Sequence, residues 1–336
     1  MAKYLEKRHF GKKGIFLTFI AISLIAAFIL IFLPSDIGLK KDISSTKTRV
    51  TTINEYVVDL ENVYLEEALQ SSGTKTTIAL IKYMQGQNMF LADFEDSFRE
   101  VLLHGNISGQ PIDIFIEPDI MTGNTYPDWL EKIRATADSA FNVNTNFDAI
   151  AINDISVYQT RPWFLTVDAN ISFRVYSETA SWDKNIIVRS EIDIQNFNDP
   201  YYLINTAGLY ANRINKSGVN FNEWNLNKAK DHIKYGTYVH FENSKAPSFI
   251  LRFTNTSTNS SCCGIESLVN PNNPPVGNAM ESYADYLYFN HTYQNKCTEL
   301  YNITEPSFKS EFPGFALDFE HLVLYNLTGA DPIRAC

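Results

Sequence analysis

Residues 15–33, IFLTFIAISLIAAFILIFL, form an uncharged and mostly apolar run directly behind a basic head, MAKYLEKRHFGKKG. A helix of that length, rising about 1.5 Å per residue, reaches roughly 28 Å and crosses a bilayer core. The head carries Lys3, Lys7, Arg8, Lys12 and Lys13 against a single acid, Glu6. Basic flanks stay in the cytoplasm. The pattern therefore predicts a single-pass cell-membrane protein: a cytoplasmic head over residues 1–14, a transmembrane helix over 15–33, and the bulk of the chain extracytoplasmic. A cleaved secretory signal would have a shorter apolar stretch followed by a small-x-small site. Here the run ends in Phe32-Leu33-Pro34-Ser35-Asp36, and Ala26 and Ala27 lie mid-span. A retained signal anchor fits better.

Lys12-Lys13-Gly14 followed at once by an apolar helix resembles the processing site of type IV pilin-like proteins, particularly archaeal ones. The resemblance is confined to this N-terminal stretch. It implies cleavage after Gly14, Ile15 as the new first residue, and packing of the exposed helix into a filament core. Two positions depart from the family's pattern: Phe19 stands where many bacterial pilins carry Glu, and Ile15 where many archaeal pilins carry Gln. An ordinary anchor with basic flanks accounts for the same residues, and both readings stay open.

Beyond the apolar run, enough of the 336 residues remains for one large domain or two smaller ones with real cores. Hydrophobic residues at 45% argue against disorder. The formal charge of −10 includes the basic head, so the rest of the chain is more acidic than the total. Such a surface is a poor partner for nucleic acid or anionic lipid. The four cysteines, Cys262, Cys263, Cys297 and Cys336, all lie in the last quarter. An even number in an exported chain suggests disulfides. A bond between adjacent residues would be a strained ring, so Cys262 and Cys263 are each expected to reach one of Cys297 and Cys336. Zinc would need closer pairs of ligands. Glycosylation sequons begin at Asn106, Asn170, Asn215, Asn255, Asn259, Asn290, Asn302 and Asn326, a moderate excess over chance in an Asn-rich chain.

Periodicity supplies an organisation. Residues 34–109 read as a linker, broken from the membrane helix at Pro34, Ser35, Asp36 and Gly38, and a helical membrane-proximal region. There Val50, Ile53, Val57, Leu60, Tyr64 and Ala68 form one stripe over 46–70. Ser71-Ser72-Gly73 interrupts it, and helices follow over 76–85 and 90–104. Residues 110–255 read as an α+β ectodomain with an antiparallel sheet. Ile112, Ile114 and Ile116 alternate as a strand would, and Tyr126-Pro127-Asp128 opens a helix. From Leu165 to Tyr176 apolar and polar residues alternate without a fault, with strands expected over 150–157 and 186–194 beside them. Asp199-Pro200 starts a helix running towards Ile214; a cation held by Asn196, Asn198 and Asp199 is the less favoured explanation of those residues. A helix over 222–233 and strands near 237–241 and 248–253 complete the unit. Residues 256–336 form a loop-rich segment held by cysteines and packed on the ectodomain, with a strand over 283–289 and an undecided stretch over 315–325.

No H-E-x-x-H, G-x-S-x-G, phosphate-binding loop or dinucleotide fingerprint is present. His232 and His240 with Asp231 or Glu242 predict no site at their spacing, and Trp163, Trp182 and Trp224 are as well explained as core as by stacking on sugars. No cofactor or metal is called for. The leading expectation is a non-catalytic surface structural or assembly component, pilin-like in plan, whose partners are the membrane, further copies or surface proteins. Alternatives are an anchored ectodomain binding a ligand such as carbohydrate, and a surface hydrolase without a recognisable motif.

Overall fold

The computed structural model describes residues 34–334 apart from 179, 243, 257, 259, 261, 274–280 and 290–298; side chains are described from residue 46 onward, those of 221 and 334 excepted. The head expected in the cytoplasm, with Gly14, and the expected transmembrane helix, with Ile15, lie outside the described residues, as do Cys297, Cys336, Asn259 and Asn290. Among the described residues no helix is long and apolar enough to cross a membrane. The chain is α+β, with antiparallel pairing in its sheets.

Helix α1 (Pro34–Asp59), a π-helical turn (Leu60–Tyr64) and helix α2 (Leu65–Gln87) follow one another without a break. The expected linker after Pro34 is thus helical, and Ser71-Ser72-Gly73 does not interrupt the run. A glycine inside a helix costs only about 1 kcal/mol, which packing readily outweighs. Residues 46–48, 51 and 52 are exposed, whereas Ile53, Tyr56, Val57 and Leu60 are buried. The next buried residue of the stripe is Leu65, not Tyr64, which is 40% exposed. Five residues along an α-helix would turn that side chain about 140° off the stripe. The wider π turn absorbs the extra residue and returns Leu65 to the buried face.

Gly73 is where this helix meets the sheet. A Cβ there would stand 2.6 Å from Cδ1 of Ile192, so the missing side chain sets how closely α2 approaches. Helix α3 (Phe94–His104) is capped by Asp93, whose carboxylate accepts from Asp96 N, and buries Phe94, Phe98, Leu102 and Leu103. Strands β1 (Asn106–Ile107) and β2 (Gln110–Pro111) pair as a short hairpin. The strand expected at Ile112, Ile114 and Ile116 is instead a 3-10 turn, Ile112–Phe115. Asp113 explains it: its carboxylate accepts from the backbone of Ile120, Met121 and Thr122 and from the Thr122 hydroxyl, folding the segment back on itself. Ile114 is left 64% exposed.

Helix α4 (Tyr126–Phe141) starts as expected, with a capping box between Thr125 and Asp128 and Pro127 in the first turn. The main sheet is built on β5 (Phe164–Tyr176). One edge of β5 pairs along its full length with β6 (Ser181–Asp193). Its other edge is shared end to end by β4 (Ile155–Arg161) and β3 (Asn144–Phe147). Leu165, Val167, Ala169, Ile171, Phe173 and Val175 are buried. The opposite face carries Asp168, whose carboxylate takes both Arg189 Nε and Nη2 at 2.8 Å and the Tyr158 hydroxyl at 3.0 Å.

Beyond the sheet, short helices replace several expected elements. Helix α5 (Pro200–Asn205) stops well before Ile214, and α6 (Leu226–Tyr235) is capped by Asn225. Residues 249–253 form helix α7 (Phe249–Phe253) rather than a strand, which places Phe249, Arg252 and Phe253 together on its buried face. The strand expected over 283–289 is likewise helix α8 (Asp285–Tyr288). Near the C-terminus, β7 (Leu300–Ile303) lies between β8 (Ala316–Asp318) and β9 (Ala330–Arg334), with α9 (Pro306–Glu311) and α10 (Phe319–Leu324) beside them. The undecided stretch is thus part strand, part helix. One continuous apolar core runs from Ile53 to Leu327.

Candidate functional site

The C-terminal half is held by a buried ionic cluster that the sequence does not announce. Asp199 caps α5, its Oδ1 accepting from Tyr201 N at 2.9 Å. Its Oδ2 accepts from the Tyr238 hydroxyl at 2.7 Å and from Arg252 Nη1 at 2.6 Å. Asp199 is therefore a cap, as expected, and also an ion-pair partner. The same Arg252 nitrogen donates to Asp285 Oδ2 at 2.8 Å, and Nη2 donates to the Ile265 carbonyl. Ser267 Oγ donates to Asp285, which leaves the Tyr202 hydroxyl to donate to Ser267. One arginine faces two carboxylates here. Burial pushes Asp285 up to about 6, against the lowering pull of Arg252.

A second cluster adjoins it through Glu266. The Glu266 carboxylate accepts from Ser244 Oγ at 2.7 Å and the Tyr325 hydroxyl at 3.0 Å. His321 Nε2 stands 3.7 Å away, and His321 Nδ1 donates to Asp318 Oδ2 at 2.6 Å. Burial works against a charge on His321, but Glu266 and Asp318 outweigh it and raise the imidazole to about 10. Burial would raise Asp318, yet its bonds to His321 and Ser282 hold it at about 2. His232, whose ring meets Trp224 and Tyr325 edge-on or tilted, is driven down to about 4 by burial. Residues 265–267 thus thread between both clusters, contributing a carbonyl, a carboxylate and a hydroxyl in succession.

These groups are closed to solvent: Arg252, Asp199, Asp285 and Glu266 have fully buried side chains. Among the described residues, His321 Nε2 faces the buried Glu266 carboxylate at 3.7 Å and the buried Tyr286 hydroxyl at 3.4 Å. The arrangement is that of a structural lock. Among the described residues no group of three or more His, Cys, Asp and Glu is placed to hold a metal. His232 and His240 do not converge with Asp231 or Glu242; His232 Nδ1 bonds Thr237 Oγ1, and His240 Nδ1 bonds the Gly264 carbonyl.

The cysteines differ from expectation. Cys262 is joined to its neighbour Cys263, the pairing that ring strain had argued against. The two Cα atoms remain 3.8 Å apart within a turn, with Cys263 buried and Cys262 exposed. Neither therefore reaches Cys297 or Cys336. The loop-rich segment is tied to the body by buried charge instead. Among the sequons, Asn170, Asn215, Asn255 and Asn326 are exposed, and Asn106 and Asn302 are half-buried. The Asn326 side-chain amide donates to the Trp224 carbonyl.

Residues 46–48, 51 and 52 of the long helix are exposed. Of the clefts among the described residues, one of about 210 Å3 is lined by Trp163, Lys216, Trp224, His240 and Phe241, among others. It brings together two of the three tryptophans considered for stacking; Trp182 lies apart, half-buried on β6. Comparison with protein families, with curated proteins and with solved structures finds no match.

Proposed function

We propose that this protein is a membrane-anchored extracytoplasmic structural component that assembles at the cell surface through its N-terminal helix, similar in plan to type IV pilins. The observation that carries this reading is the helical run over residues 34–87, which begins immediately after the apolar segment. Its first helix has 26 residues, and among the described side chains residues 46–52 are exposed or half-buried before one face enters the core at Ile53. At about 1.5 Å per residue the part of the run before Ile53 spans roughly 28 Å, and the rest packs into the head. A stalk of that kind carries a globular head away from an assembly axis. The acidic head and exposed sequons suit a surface facing water.

Lys12-Lys13-Gly14 supplies the processing step that would release the helix from its basic head. The buried ionic lock supports a rigid head without asking it for chemistry. Mechanical shearing of whole cells tests the reading. The protein is expected in the sheared surface fraction, in filaments visible by electron microscopy and labelled by an antibody to the head. Quantitative retention in the membrane as isolated subunits would contradict it.

A further inference from the structure

The cleft beside Trp163 has the chemistry of a ligand site on a head that the assembly reading leaves without one. Its volume of about 210 Å3 is below the ~300–1,000 Å3 of drug-sized sites and suits a single ring. Trp163 is half-buried and Lys216 exposed, with the Lys216 ammonium 5.6 Å from the Trp163 ring centroid. Lys216 forms no ion pair among the described residues, although the chain carries a net charge of −10. The cleft thus sets an ammonium over a half-buried indole that packs on the core with its other atoms.

The backbone around the cleft is already satisfied. Ser217 N donates to Tyr238 O, Tyr238 N to Asn215 O, and Val239 N to Glu266 O. An added peptide strand would find few free partners there. Recognition must come from side chains. His240 Nδ1 faces a carbonyl, which has no proton, so Nδ1 carries the hydrogen and Nε2 is the neutral ring's one acceptor. Ser217 adds a hydroxyl. An aromatic face, an imidazole acceptor, a hydroxyl and one ammonium match a sugar ring with an apolar face, several hydroxyls and a carboxylate.

We propose that this cleft binds an acidic monosaccharide unit, a uronic acid, with the ring on Trp163 and the carboxylate on Lys216. The inference does not rest on the assembly reading, because binding is measured on single subunits. The full-length protein, dispersed in a detergent without sugar head groups, is titrated calorimetrically with D-glucuronate and with D-glucose. Glucuronate is expected to bind saturably and about tenfold more tightly than glucose, the worth of one charge-assisted bond. Lys216→Gln should lower glucuronate binding to the level of glucose, and Trp163→Ala should abolish both. Trp163→Phe, which keeps the packing, should retain the preference for glucuronate at reduced affinity. Absence of saturable glucuronate binding, equal affinity for the two sugars, or Lys216→Gln leaving glucuronate affinity unchanged would overturn the proposal.

Discussion

Arg252 Nη1 donates to Asp199 Oδ2 at 2.6 Å, and neither side chain keeps any exposure to water. A buried pair of this kind adds little over a well-packed apolar pair, but removing one partner strands the other charge. Replacing Arg252 with Leu leaves both Asp199 and Asp285 without their cation. The expected loss is about 3–5 kcal/mol. Urea denaturation followed by tyrosine and tryptophan signals reads it. A midpoint shift within about 0.5 kcal/mol, the range of ordinary surface substitutions, would show that the cluster is not the lock described.

His321 and Asp318 give stability a pH window. The His321 imidazole is raised to about 10 from an ordinary value of 6.5. Its stabilisation is therefore fully present below 6.5 and is lost as pH rises towards 10. Asp318, held at about 2 from an ordinary 3.8, contributes above 3.8 and loses its effect as pH falls towards 2. His232, lowered to about 4, disfavours the folded state as pH drops from 6.5 towards 4, while Asp285, raised to about 6, works in the opposite direction between 3.8 and 6. The alkaline limb thus belongs to His321 alone among these groups. Unfolding free energy measured from pH 6.5 to 10 should fall by a few kcal/mol, and His321→Gln should flatten that limb. An unchanged slope in the variant would remove His321 as its source.

Gly73 and Ile192 form a testable helix–sheet contact. Gly73→Ala puts a methyl 2.6 Å from Ile192 Cδ1, and overpacking of this kind costs about 1–3 kcal/mol. Combining it with Ile192→Val, which removes that very atom, should recover most of the loss. A double-mutant cycle measures the coupling directly. Strict additivity would mean that the helix shifts freely over the sheet.

Much of the fold is written locally. The alternation of β5 and the Tyr126-Pro127-Asp128 start of α4 depend on neighbours in the chain, and both are where periodicity and the early proline place them. The failures have physical causes as well. Ile112, Ile114 and Ile116 alternate like a strand, but Asp113 ties its own segment to residues seven to nine positions on. Phe249, Arg252 and Phe253 read as strand because aromatic residues favour β structure; the helical spacing gains meaning only with Asp199 and Asp285 in place. Those partners lie 53 and 33 residues from Arg252, a distance over which no pattern is visible. The same holds for Glu266 and His321. The π turn carried a faint sign, the five-residue step from Leu60 to Leu65, hidden because Tyr64 continued the regular spacing. Trp163 and Trp224 were visible as residues; their meeting in one cleft depends on a fold in which Tyr238 reaches back to Asn215 and Ser217.

The proposed assembly through a helix released from its basic head turns on Gly14. Protein purified from the cell surface should be subjected to N-terminal sequencing and intact-mass measurement. Cleavage after Gly14, with Ile15 as the first residue, is the expected result. A chain that retains Met1, or the residue following it, together with the whole of Lys12-Lys13-Gly14, would contradict pilin-type processing and leave the segment a plain anchor.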